Sequence, residues 1–90
     1  MVAFAVLLHP KAVKELEKIE HQTRTRITER LKELRNDPVT IGKALKHSDF
    51  WSLRIGDYRA IYEIDRAKKQ VIILFVGHRK KVYDDFSKLL

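Results

Sequence analysis

Hydrophobic residues follow three different rhythms along the chain. Residues 3–8, AFAVLL, are continuously apolar and stop at His9-Pro10, the pattern of a short strand buried on both faces. From Pro10 the period lengthens. Ala12, Val13, Leu16 and Ile19 fall on one side of a helix whose other side is charged, and proline suits its first turn because the missing N–H has no intrahelical partner there. After a break around His21 to Thr23, Ile27, Leu31 and Leu34 recur at i, i+4 and i+7. Pro38 ends this second helix by disfavouring helical geometry at Asp37. Glu29 and Glu33 are spaced to pair with Arg26, Arg30 or Lys32 on its solvated side.

Residues 39–49 keep no period, hold Gly42, Ser48 and Asp49, and read as a loop. Three apolar-rich runs follow: FWSLR, YRAIYEI and QVIILFV, separated by Gly56-Asp57 and by the polar stretch DRAKK. Short turns between such runs predict an antiparallel meander. The tail returns to helical spacing through Val82, Phe86 and Leu89, which predicts a short final helix with an apolar stripe. The expected fold is α+β in the order β-α-α-β-β-β-α, a small, mainly antiparallel sheet with a helical hairpin packed on one face. Its other face is left to bind something. At 90 residues without a linker-like segment, a single domain over 1–90 is expected.

Composition narrows the function classes. The chain has no cysteine, hence no disulfide and no thiolate metal site, which suits a reducing cytoplasm. Its apolar runs are far shorter than the roughly 20 residues of a membrane helix. The amino-terminal run has no basic leader, and His9-Pro10-Lys11 follows it in place of a small-residue cleavage site, so it is read as a strand. A net charge of +7 favours a polyanionic partner, nucleic acid or an acidic protein.

Strand reversal in the meander decides which charges meet. With the second turn centred between Ala67 and Lys68, Arg59 falls opposite about Val76, and Arg54 flanks the first turn at the same end. Arg54, Arg59, His78, Arg79, Lys80 and Lys81 therefore gather at one edge of the sheet. A register slip would exchange faces but not ends. Guanidinium groups on a rigid edge match phosphate oxygens in pairs and keep their charge at working pH. No nucleophile elbow, zinc-binding helix signature or phosphate-cradling glycine loop is present, and Ser48, Ser52 and Ser87 have no evident base. His9, His21, His47 and His78 lie in separate elements without carboxylates at ligand spacing, so no metal is expected.

The pair FWSLRIGDYRAIYEI and VIILFVGHRKKVYDDF resembles the RelE toxins of the RelE/ParE superfamily of toxin-antitoxin systems, and the likeness extends over nearly the whole chain. That resemblance implies a ribosome-dependent endonuclease that cuts messenger RNA, silenced by a wrapping RelB-like antitoxin and needing no cofactor. Arg59 and Arg79 resemble the family's phosphate-stabilising arginines, Arg54 a supporting one, and Tyr83 the tyrosine implicated in proton transfer or base stacking. His78 stands where several relatives have histidine or lysine. An imidazole, with an ordinary pKa of about 6.5, is the best single acid–base candidate, whereas a phenol near 10 needs neighbouring cations to ionise.

The chain departs from relatives that carry lysines where Phe50, Trp51 and Ser52 stand, and from others with a glutamate in the preceding loop. Lys43, Lys46 and His47 either compensate or, with Lys80 and Lys81, contact ribosomal RNA. Trp51 is either a stacking platform for a base or a core residue. An antitoxin segment is expected on the stripe of Val82, Phe86 and Leu89 and on the open sheet face. The rival readings are a ParE-like gyrase inhibitor and a weakly catalytic antitoxin-binding relative. ParE-type chains generally lack the combination of two arginines and a tyrosine.

Overall fold

In the computed structural model, which describes residues 3–82, the first strand β1 (Ala5–Leu8) leads into helix α1 (Pro10–Glu17) and helix α2 (His21–Lys32). A single 3-10 turn, Glu33–Arg35, closes the hairpin. Then come β2 (Lys43–Ala44), β3 (Phe50–Ile55), β4 (Tyr58–Asp65) and β5 (Gln70–His78). The sheet is five-stranded in the order β1-β5-β4-β3-β2, with β1 parallel to β5 and every other pair antiparallel. The α+β class and the helical hairpin are as the periodicity predicts. The expected closing helix, with Phe86 and Leu89, lies outside the described residues.

Local chemistry explains the element boundaries. His9 caps α1 with Nδ1, which accepts from the Lys11 N–H at 3.1 Å, and Pro10 takes the first helical position. The helix α2 starts at His21 rather than after Thr23, because Thr25 and Thr28 return their hydroxyls to the carbonyls of His21 and Arg24 and so sit inside a helix without a stranded polar group. Arg30 pairs with Glu33 at 2.9 Å and Lys32 with Glu29 at 3.5 Å, as their spacing requires. The β3–β4 hairpin closes over two residues, with Gly56 at φ +59° supplying the positive φ that such a turn needs.

Two apolar clusters lie on opposite faces of the sheet. Toward the helices, Ala12, Leu16, Ile27, Leu31 and Leu34 pack on Leu53, Ile55, Ala60, Tyr62, Val71, Ile73 and Val76. On the other face Ile61, Phe75 and Val82 form a smaller cluster with Leu45, Phe50 and Leu74. Two expectations need correction. The strand β1 is not buried on both faces: it is an edge strand, with Leu7 43% and Leu8 41% exposed, because its only sheet neighbour is β5. The segment 39–49 is not all loop, since Lys43 and Ala44 pair with Ser52 and Trp51.

That segment is pinned from beneath. The Tyr62 hydroxyl, fully buried, donates to the Pro38 carbonyl at 2.6 Å, and a Cβ on Gly42 would occupy the place of that hydroxyl. Burial, with a smaller contribution from the Asp37 carboxylate, pushes the Tyr62 phenol up to about 12. Among the described residues, no helix is long and apolar enough to cross a membrane.

Candidate nucleic-acid interface

The two tight ends of the meander place the basic residues. Arg54 is directly opposite Arg59 in the β3–β4 ladder, and Arg59 is directly opposite Gly77 in the β4–β5 ladder. The chain beyond β5 then folds against the Gly56-Asp57 turn: the Arg79 N–H donates to the Asp57 carbonyl at 2.8 Å, and the Lys81 N–H to the His78 carbonyl at 2.8 Å. Arg54, Arg59, His78, Arg79, Lys80 and Lys81 thus share one end of the sheet, as strand reversal predicts. From the helix layer, the Arg26 guanidinium reaches the same turn, its Nη2 3.5 Å from where a Gly56 Cβ would be. Sequence reasoning placed Arg26 only on a solvated helix face.

The faces differ from the expected register, and a bulge is the reason. From Asp65↔Gln70 to Tyr62↔Ile73 the pairing is regular, but Ile61 then pairs with Phe75, leaving Leu74 as an extra residue. Arg59 consequently meets Gly77 instead of Val76. Every side chain of β5 beyond Leu74 exchanges faces. Phe75 joins the face away from the helices, with Ile61, while Val76 joins the helix-side core. His78 falls beside Tyr58, their rings edge to face with centroids 5.8 Å apart. Strand parity thus puts Arg54 and Arg59 on the face away from the helices, although Arg54, at the sheet margin, also lines a groove with Arg26, Glu29 and Glu33 of α2, and puts His78 on the helix side of the same rim.

Hydrogen bonding also constrains His78. Its Nδ1 accepts from the Lys80 N–H at 3.3 Å, so the neutral ring carries its proton on Nε2. That nitrogen is a donor.

Other sequence-predicted residues are dispersed. Trp51 stacks on Tyr62, centroids 6.5 Å apart, at the margin of the helix-side core. It stands three strand positions from Arg54, about 10 Å away, on the opposite face. Trp51 thus sits at the core margin, apart from the arginine rim. Lys43 sits on β2 opposite Ser52, and Lys46 is in the exposed β2–β3 loop at the far end of β3, so neither joins the arginine rim. Val82 is 2% exposed and packs on Ile61 and Phe75, 3.6 Å from where a Gly77 Cβ would be. It belongs to the small cluster rather than to an exposed stripe. Tyr83, Phe86 and Leu89 lie outside the described residues. Among the described residues no three His, Cys, Asp or Glu side chains are placed to hold a metal ion.

One further cation was not foreseen. Lys11, from the first turn of α1, holds its Nζ 5.1 Å from the Phe75 ring centroid.

Against known proteins, the model of the family described as the ParE toxin of the type II toxin-antitoxin system parDE matches residues 6–83. The chain belongs to this toxin family. Within the wider RelE/ParE superfamily its relatives are RelE-like. It is 38% identical over 53 residues to Toxin RelG of Mycobacterium tuberculosis, a match spanning 57% of this chain and 61% of that protein. The toxin-antitoxin complex RelBE2 of the same organism contains a chain that superposes with a TM-score of 0.82 at 31% identity, covering 87% of this chain and all of that one. The archaeal RelE–RelB complex of Pyrococcus horikoshii gives 0.72 at 26%, covering 89% and 99%. A chain of the ParDE system of Pseudomonas aeruginosa gives 0.73 at 16% identity, which establishes a shared fold alone.

Proposed function

We propose that this type II toxin is an endoribonuclease that cuts messenger RNA on the ribosome and is held inactive by a RelB-like antitoxin. The observation that carries the reading is the direct opposition of Arg54 and Arg59 in one ladder. Like charges facing each other across a sheet are destabilising. Arg79, Lys80 and Lys81 add their charge at the same end, and a phosphate backbone is the anion that matches such a cluster of cations.

In this reading the 2′-hydroxyl of the bound nucleotide attacks the adjacent phosphorus, an O2′–P bond forms and the P–O5′ bond breaks, giving a cyclic phosphate and a free 5′-hydroxyl. Negative charge builds on the non-bridging oxygens, opposed by Arg59 and Arg79 with Arg54 in support. Fixed donors of this kind are worth about 3 to 4 kcal/mol each when removed. The hydroxyl proton passes to a base and the leaving oxygen gains a proton from an acid. His78 and Tyr83 are the candidates for these two roles. Lys80 and Lys81 hold the flanking backbone.

The structures of RelE–RelB complexes among the relatives support an antitoxin partner here. The ParE description of the matching family favours a second reading, inhibition of DNA gyrase. Primer extension on a message translated in vitro separates the two. Cuts that require ribosomes and disappear on adding antitoxin support the nuclease; intact messages together with inhibited gyrase overturn it.

A further inference from the structure

The strand β1 leaves the sheet where β5 bulges. Its last pair is Leu8↔Ile73, and the His9 N–H makes a final bond to the Ile73 carbonyl at 2.8 Å. The chain then turns into α1 through the His9 cap, which fixes the Lys11 backbone beside the edge of β5 from Leu74 onward. Because the bulge at Leu74 rotates Phe75 to the face away from the helices, a side chain passing that edge from the helix layer arrives on the opposite face. Lys11 does this, its ammonium 5.1 Å from the centre of the Phe75 ring.

Phe75 and Gly77 are two residues apart on one face of β5, about 6.6 Å, and Gly77 is the cross-strand partner of Arg59. Lys11 therefore brings a positive charge from a distant part of the chain to the face that carries Arg59, with Val82 packed between Phe75 and Gly77. Among the described residues no carboxylate lies within ion-pair distance of it. Lys11 is exposed while its ammonium rests against the ring, which leaves it accessible to a phosphate as a compact point charge.

We propose that Lys11 is a phosphate-binding residue of the interface, contacting the backbone of the bound RNA strand next to the nucleotide held by Arg59. The inference rests on the endoribonuclease reading, and it widens the site from the meander to the helical layer. Lys11 is a binding residue and takes no part in proton transfer.

The test is the affinity for ribosomes programmed with a message made uncleavable by 2′-deoxy substitution in the decoding site, measured from about 50 to 200 mM salt. Each lost phosphate contact flattens the plot of log affinity against log salt by about 0.7 to 0.9. Lys11→Gln is expected to flatten it by that amount and to weaken binding about tenfold at the lowest salt. Lys11→Arg retains the wild-type slope. Lys18→Gln removes the same charge from the same helix, at a residue that already faces Glu15 at 3.8 Å, and leaves the slope unchanged. A Lys11→Gln slope equal to wild type overturns the assignment while leaving the nuclease reading intact. If the wild-type chain itself has no affinity for programmed ribosomes, both fall together.

Discussion

Replacing Arg54 by glutamine should stabilise the protein while impairing it. Arg54 and Arg59 are directly opposite, and long side chains splayed from such a pair put their charges about 7 Å apart. In a water-like dielectric that repulsion is about 0.6 kcal/mol, reduced to about 0.5 kcal/mol at about 10 mM salt and to almost nothing at about 1 M. For a domain of this size it corresponds to a rise in Tm of about 2 to 4 °C at low salt. Thermal unfolding of Arg54→Gln and wild type at both salt concentrations measures it, with message cleavage followed in parallel and expected to drop up to about a hundredfold. Any cation removed from a chain of charge +7 relieves some general repulsion, so Arg66→Gln serves as the control. Arg66 lies at the other end of β4 in a groove with Asp49, Glu63 and Asp65, and its loss should be neutral or slightly destabilising. The reasoning is refuted if Arg54→Gln lowers Tm at low salt, or raises it equally at both.

The remaining expectations concern the core pin and the rim. Tyr62→Phe strands the Pro38 carbonyl and should cost about 1 to 2 kcal/mol in denaturant unfolding. Because the phenol is pushed up to about 12 from 10.0, Tyr62 adds stability that is fully present below pH 10 and lost as pH rises toward 12. The wild-type curve should therefore fall by up to about 3 kcal/mol more than that of Tyr62→Phe across this window. Gly42→Ala forces the Tyr62 hydroxyl from its place and should cost about 2 to 4 kcal/mol, while the double variant Gly42→Ala with Tyr62→Phe recovers part of it. Arg79→Ala should reduce cleavage by about 10²- to 10³-fold with Tm nearly unchanged, since its side chain is exposed and its structural bond to Asp57 is made by the backbone.

Much of this arrangement is legible in the chain because it depends on turns and period. The DRAKK turn fixes where β4 and β5 reverse, and from that alone the six basic residues are assigned to one end. Their division between faces is not legible. The run VIILFV is apolar throughout, so it has no polar alternation to reveal that Leu74 is one residue too many, and the bulge passes unmarked until the pairing is seen. Exposure of β1 escapes for a related reason: a continuous apolar stretch reads as doubly buried, and nothing local tells a strand whether it has one neighbour or two. The parallel pairing, equally unmarked in the sequence, hides Lys11, which reaches Phe75 past the end of β1 at Leu8, opposite Ile73. Trp51 carries no local sign of which face it takes; the parity of β3 alone puts it against Tyr62.

The parallel contact between β1 and β5 has a consequence for synthesis. Among the described residues, the first strand takes its partners from Gln70–Ile73, in the last one. A chain interrupted before that point has neither the neighbour of its leading strand nor the ladder that sets Arg59 against Gly77. On the proposed reading, such a truncated product lacks the assembled seat of Arg59 and so has no place to hold a phosphate.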